Sequence, residues 1–254
     1  MRASDMDGLI RQLPGHIGVY CLNTVTGEEY AHNAEDAIEA ASVIKLTVMA
    51  EAFRQFEAGT LDPAATVTVR QEDKLPSCGA LSYMHDGVNV TVLDLVTLMI
   101  ILSDNTATNL LIDRLGMDRI NAMIDSLGFA GTRLNRKLFM PELAARGIKN
   151  VVSARDMGEL FKRLLAGDVV SAEASRQMLD ILKKQRLNGK MPFFLHDKGI
   201  ACAHKTGEDD GVTHDVGIIF AEQPVILCFL SERTDVPRAE RALQDIAAMA
   251  AGVA

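Results

Sequence analysis

No excess of positive charge runs through this chain. Its 26 Lys and Arg face 34 Asp and Glu, a net charge of −8, which argues against a nucleic-acid or anionic-membrane surface, since both favour basic patches. It has no run of 18 apolar residues, so no transmembrane helix is indicated. The opening "MRASDMDGLIRQLPG" lacks the apolar core of a secretory signal. The expectation is a cytoplasmic protein as written, or a periplasmic or secreted one if a leader has been removed. The four cysteines, Cys21, Cys78, Cys202 and Cys228, show neither metal-ligand spacing nor a CxxC; three lie in strand-like apolar runs, where buried reduced thiols are expected. Internal repeats and low-complexity segments are also lacking. What remains is 254 residues, 48% hydrophobic and 24% charged, enough for a sizeable core in one large globular domain or two interleaved ones.

The pattern along the chain is β, then helical, then β. "HIGVYCLNTVTGEEYAHN" holds two short strand-like runs around a turn at Thr24 to Gly27, a hairpin signature. A helix follows through "EAASVIKLTVMAEAFRQFEAG", with Gly59 as its C-terminal stop, and Leu61 to Val90 reads as loop with short strands. Thr91 and Asp94 form a capping-box start to "TVLDLVTLMIILSDN", a helix apolar nearly all round and so expected to be central and buried. Helices are expected over Thr106 to Leu115, closed by Gly116, and Asp118 to Leu127, closed by Gly128. Residues 131 to 152 show no period and read as a long irregular loop. Ser153 and Asp156 start a helix ending near Gly167, and Ser171 to Leu187 reads as one more. The last third, "GIACAHKTG", "VTHDVGIIFAE" and "PVILCFLSE", reads as an antiparallel meander, closed by a helix from Pro237 to Ala250.

These elements predict a mixed α/β fold of the α+β kind. An antiparallel sheet of about five strands is formed by both chain ends and flanked by helices, with an all-helical subdomain inserted. Residues 1–254 are expected to form one domain, with 1–40 and 190–254 as the sheet lobe and 41–189 as the mainly helical lobe. A cleft is expected where the lobes meet.

Three short motifs fall at element ends. Ser42-Val43-Ile44-Lys45 puts a hydroxyl and an amine one helical turn apart in an apolar run. Desolvating an ammonium is costly, so Lys45 either reaches water or is kept neutral for chemistry, as a base for the Ser42 proton. Alone, the motif is weak, since Ser42 would serve equally as a helix cap. Ser103-Asp104-Asn105 alone would be a good helix cap too, and Lys205-Thr206-Gly207 a solvated strand end. Together, in this order and at these element ends, they are hard to obtain by chance.

The trio resembles that of the penicillin-recognising serine hydrolases. In spacing and flanks, "ASVIKLTVMAEAF", "LMIILSDNTATNLLIDRLG" and "HKTG" are most similar to the class A β-lactamases, and the resemblance covers nearly the whole chain. It implies Ser42 as the nucleophile forming an acyl-enzyme and Lys45 as its proton relay. Ser103 would pass a proton to the leaving nitrogen, and Asn105 would bind the substrate amide. Lys205 would supply positive charge and Thr206 a hydrogen bond for a substrate carboxylate, with Gly207 beside them. The backbone N–H groups of Ser42 and Glu208 would form the oxyanion hole. No metal or cofactor is implied. The expected substrate is a β-lactam or a D-alanyl-like amide or ester, handled by a monomer without a membrane span or nucleic acid.

Three departures stand out. Class A enzymes carry an Arg-x-Glu-x-x-x-Asn pattern whose glutamate activates the deacylating water. Here Arg136 fits the arginine, but Leu138 stands two residues on, and aligning the proline brings Met140 there instead. Neither accepts a proton. Glu142 is the only carboxylate nearby, a displaced base only if the loop bends. Deacylation is therefore expected to be slow while acylation is untouched. In the lid-like "KLPSCGALSYMHDG", Tyr83 is the aromatic available as a cleft wall. Glu208 stands where small residues are usual, and its carboxylate would repel an anionic substrate unless it points away. His204, His214 and Asp215 share a strand pair, and strand-end hydrogen bonding is the preferred reading. Alternatives to a β-lactamase are a D-alanyl peptidase or esterase and a β-lactam-acylated sensor. A purely structural role is disfavoured, because burying Lys45 beside Ser42 adds no stability without chemistry.

Overall fold

The computed structural model describes residues 3–253. In chain order the elements are helix α1 (Ala3–Ile10), strands β1 (His16–Asn23), β2 (Glu29–His32) and β3 (Ile38–Glu39), and helix α2 (Lys45–Glu57). Strands β4 (Thr66–Val69) and β5 (Val88–Thr91) follow, then helices α3 (Val92–Ile101), α4 (Asn105–Leu115), α5 (Met117–Ser126) and α6 (Pro141–Ala145). Strand β6 (Val151–Val152) leads to helices α7 (Ala154–Ala166) and α8 (Ala172–Leu182). Strands β7 (Cys202–Asp209), β8 (Val212–Ile219) and β9 (Val225–Glu232) and helix α9 (Val236–Ala250) complete the chain.

Five strands form one antiparallel sheet in the order β2-β1-β9-β8-β7, so the two chain ends meet where β1 pairs with β9. Side chains alternate across the sheet. Ile17, Val19 and Cys21 of β1 with Val225, Leu227 and Phe229 of β9 face one way, into a core shared with Met6 and Ile10 of α1 and Leu243 and Ile246 of α9. Tyr20, Ile226, Cys228 and Leu230 face the other way, into the larger core shared with the central helices. Because both faces are covered, β9 reads as a continuous apolar run rather than an alternating one. Strand β7 is left at the edge.

The hairpin, the meander and the cap positions agree with the sequence reading. Thr91 accepts Asp94 N–H and Asp94 returns the bond to Thr91 N–H (3.0 and 2.8 Å), and Ser153 caps α7 through Asp156 N–H. Four elements differ. Helix α1 has no counterpart in the sequence reading; its apolar spacing is short, and it is held by docking on α9. Helix α3 is buried on one side only, with Leu93 exposed. The 131–152 segment contains the short α6, started by Pro141 at its first turn, and β6, which pairs with β3. Helix α8 stops at Leu182 instead of Leu187, because the next residues bond elsewhere: Gln185 Nε2 donates to the Ile100 carbonyl (2.9 Å) and Arg186 N–H to that of Ile101 (3.0 Å). Helix α7, from the middle of the chain, lies on the sheet, with the Arg155 guanidinium over the Tyr20 ring. No helix among the described residues is long and apolar enough to cross a membrane.

Candidate active site

Ser42 stands in a single 3-10 turn, Ala41–Ile44, that runs directly into α2 at Lys45. Ala41 before it has φ +41°, and Ser103, in the tight turn between α3 and α4, has φ +54°. Non-glycine residues rarely hold such angles, and strain of this kind persists only where surrounding contacts over-determine it. At Ser103 the contacts come from its neighbour. Asp104 caps α4 by accepting Ala107 N–H (2.9 Å), and its second oxygen accepts Ala80 N–H and Leu81 N–H (2.7 and 2.9 Å). A Cβ on Gly79 would sit 2.3 Å from that carboxylate, so only glycine lets the lid segment approach.

The turn at Ser103 and the start of α2 converge on Lys45. Its Nζ lies 2.9 Å from Ser42 Oγ, 2.9 Å from Ser103 Oγ, 2.8 Å from the Ser103 carbonyl and 2.8 Å from Asn105 Oδ1. The side chain is fully buried. Burial first, and then the charge of Lys205, push its amine well below the usual lysine range. A neutral amine has two N–H bonds and one lone pair. The Ser103 carbonyl and Asn105 Oδ1 can only accept and so take the two hydrogens, leaving the lone pair for a hydroxyl. Lys45 can therefore receive the Ser42 proton.

Lys205, on the edge strand β7, is equally buried. Its Nζ donates to Ser103 Oγ (3.1 Å) and the Thr206 carbonyl (2.8 Å), and burial brings its amine down to about 7 against the raising influence of Asp215. Ser103 Oγ thus bridges two lysines. Strand β7 reaches the turn that carries Ser42 at Gly207, where a Cβ would meet His214 Cδ2 at 2.8 Å and Val43 Cγ2 at 3.2 Å. His214 is buried and pulled down to about 4, chiefly by burial. Its Nε2 lies 2.7 Å from the Glu39 carbonyl, and its Nδ1 accepts Ser231 N–H at 3.0 Å, so the ring is neutral with its proton on Nε2. Above these residues opens a cleft of about 420 Å³, with Ser42, Asn105, Cys78, Leu138 and Glu208 among its walls.

A serine hydroxyl, a buried amine beside it, a bridging hydroxyl and an edge strand thus meet around one cleft. The β-lactamase enzyme family matches residues 1–253. The chain belongs to that family. To β-lactamase L2 of Stenotrophomonas maltophilia it is 30% identical over 184 residues, 71% of this chain and 60% of the relative. The chain thus spans about three fifths of the length of two of its curated relatives, this one included. Among solved structures, a β-lactamase from Sphaerobacter thermophilus superposes with a TM-score of 0.89 at 32% identity, covering 99% of this chain and 97% of that one. PBP-A superposes with a TM-score of 0.88 at 27% identity, covering 98% and 94%. A PBP-A point mutant has been seen as an acyl-enzyme complex with penicillin G.

The loop from Thr132 to Asn150 forms one wall of the cleft. Asn150 is buried and knits the loop: its Oδ1 accepts Asn135 and Arg136 N–H (2.8 and 2.9 Å), its Nδ2 donates to the Arg136 carbonyl (3.0 Å), and its own carbonyl accepts Ala40 N–H beside the Ser42 turn. Arg136 Nε closes the loop on the Ile148 carbonyl (2.9 Å). Leu138, Phe139, Met140 and Pro141 line the cleft. Glu142 is exposed on α6 and does not line it, although Pro141 and Ala144 on either side do. Within the loop the one carboxylate is therefore turned away, while Glu39, Glu208 and Asp209 stand on other walls of the cleft.

Tyr83, expected as a cleft wall, is 83% exposed and outside the cleft lining; Ser77 and Cys78 line the cleft instead. Glu208 lines the cleft, and Lys190 Nζ pairs with its carboxylate at 3.0 Å. His204 and Asp215 form a buried pair (2.8 Å), with His204 Nε2 3.1 Å from Asn188 Oδ1. That pair agrees with a hydrogen-bonding role and lies outside the cleft lining. Sequence reasoning missed Asp104 as the lid's anchor, Asn109, Asn150 and Lys190. A motif-internal acid marks the first; nothing local marks the other three.

Proposed function

We propose that this protein is a serine hydrolase of the β-lactamase type, acylated rapidly by β-lactams and deacylated slowly. The observation carrying this reading is the continuous hydrogen-bonded path from Ser42 through Lys45 and Ser103 to Lys205. Neutral Lys45 accepts the Ser42 proton as Oγ attacks the lactam carbonyl. The N–H groups of Ser42 and Glu208 receive the oxyanion, and donors of this kind typically contribute about 2.7–4 kcal/mol each. Ser103 hands a proton to the leaving nitrogen as the ring opens. Asn105 binds the substrate amide, and Lys205 and Thr206 face its carboxylate with Gly207 beneath. Deacylation needs a water held near the ester by a base. The loop offers Leu138 and Met140, with Glu142 turned out, so the acyl-enzyme persists. The chain acts as one catalytic domain and as a monomer.

A second reading, a D-alanyl peptidase with the same acylation machinery, is favoured by the apolar loop, which offers a deacylating water no base. Incubation with benzylpenicillin, following intact mass and ring-opened product together, tests the first reading, and release of D-alanine from a D-alanyl-D-alanine peptide tests the second. A persistent adduct with a slow trickle of product supports the proposed scheme, and rapid full turnover rejects slow deacylation. No adduct rejects both and moves the reading to an esterase. A tryptic digest should place the adduct on the Ser42 peptide, and labelling of Ser42→Ala would overturn the nucleophile.

A further inference from the structure

Lys190 lies in the segment between α8 and β7, and its side chain is almost fully buried. Its ammonium donates to the Gly207 carbonyl at 3.1 Å, lies 3.5 Å from that of His214, and pairs with Glu208 at 3.0 Å and Glu240 at 3.6 Å. The segment carrying it is fixed on both sides: Met191 N–H donates to Asp215 Oδ2 (3.0 Å), and Asn188 Oδ1 meets His204 Nε2 (3.1 Å). Asp215 and His204 are themselves buried and paired. A surface lysine seeking water would have none of this scaffolding.

The Gly207 carbonyl and the Glu208 N–H belong to one planar peptide unit. A cation on the carbonyl oxygen fixes the plane and draws amide electron density toward that oxygen, which makes the N–H at the other end a stronger donor. The same residue carries a carboxylate that would oppose negative charge developing at its own N–H; the ammonium at 3.0 Å offsets it. We propose that Lys190 is a positioning residue for acyl transfer, orienting and polarising the Gly207–Glu208 peptide toward the developing oxyanion and neutralising the Glu208 carboxylate beside it. The proposal rests on the reading above that Glu208 N–H is an oxyanion donor.

A group that acts on the oxyanion changes the chemical step and not substrate capture. Stopped-flow acylation by benzylpenicillin gives the two separately, as the limiting rate and the apparent dissociation constant. For Lys190→Met, isosteric and uncharged, the limiting rate is expected to fall about tenfold or more, below the 10²–10³ of deleting a donor outright. The dissociation constant should hold within about twofold, with the adduct still on Ser42. Lys190→Arg should restore most of the rate. Glu240→Gln, which removes a carboxylate partner and leaves the Gly207 contact, should keep the parent's rate. If Lys190→Met does not fold, Lys190→Gln, a neutral donor, is measured instead and should still be slower than the parent. A parent-like limiting rate in the neutral variant, or an equal loss in Glu240→Gln, overturns the proposal. Absence of any Ser42 adduct in the parent would instead reject the functional reading, whatever Lys190 does.

Discussion

Asn109 of α4 holds Leu138 by both halves of its backbone: its Oδ1 accepts Leu138 N–H at 2.9 Å and its Nδ2 donates to the Leu138 carbonyl at 3.0 Å. A side chain in a loop is thereby given the fixed address of a helix residue, on the wall of the cleft that holds Ser42. What the position lacks is a proton acceptor. Leu138→Glu is expected to raise the steady-state rate on a chromogenic β-lactam by at least tenfold, within the roughly 10²–10⁴ of positioned proton transfer. The burst of about one product per enzyme expected of the parent should fade as deacylation ceases to limit. An unchanged steady state would mean that this wall does not face the ester.

Glu142 is expected to be a spectator. It is exposed and off the cleft lining, so Glu142→Gln should leave both burst and steady state of the parent unaltered in pre-steady-state kinetics. Loss of a fast steady state in that variant would make Glu142 the base after all.

The two buried lysines should cost stability in a pH-dependent way. Lys205 falls from 10.5 to about 7 on folding, so between these values the unfolded chain binds more protons and this group makes stability rise with pH. At and below about pH 7 its burial penalty is felt in full. Lys205→Met is therefore expected to raise the melting temperature most near neutrality, with the gain shrinking toward pH 10. The same change lifts the charge that depresses Lys45, so acylation should slow at neutral pH and its rising limb should move to higher pH. A gain independent of pH, with an unshifted profile, would remove Lys205 from this coupling.

His214 acts on the acid side. Its ring is pulled from 6.5 to about 4 by burial, so as pH falls through this window the unfolded chain takes up a proton that the folded chain refuses. Stability is lost across that range. His214→Gln, measured by denaturant unfolding at several pH values, should flatten the slope there. An identical slope would assign the acid loss to other groups.

Gly207→Ala should damage the reaction more than the fold. The added methyl meets His214 and Val43, and overpacking of this kind typically costs about 1–3 kcal/mol. Relief requires the edge strand to move off the Ser42 turn, and a displacement near 1 Å at a reacting centre can cost about 10²-fold. Acylation slowed by much less than tenfold would show that β7 accommodates the methyl without moving.

Features set by neighbours along the chain were legible before any folding was known. The capping box at Thr91, the N-cap at Ser153, the hairpin turn at Thr24 to Gly27 and the three strands of the meander rest on residues two to four apart, so their pattern is written locally. The serine-lysine spacing is local too, and the family's motifs added the rest of the trio. Tertiary structure decided what depends on partners distant in sequence. Glu208 is neutralised by Lys190 from another segment, Leu138 is clamped by Asn109, and Tyr83 turns to solvent while Cys78 faces the cleft. The depressed basicity of Lys45 exists only because α2, the Ser103 turn and β7 close around it. Burial and the approach of a second cation are properties of the folded packing, and no spacing along one chain segment encodes them.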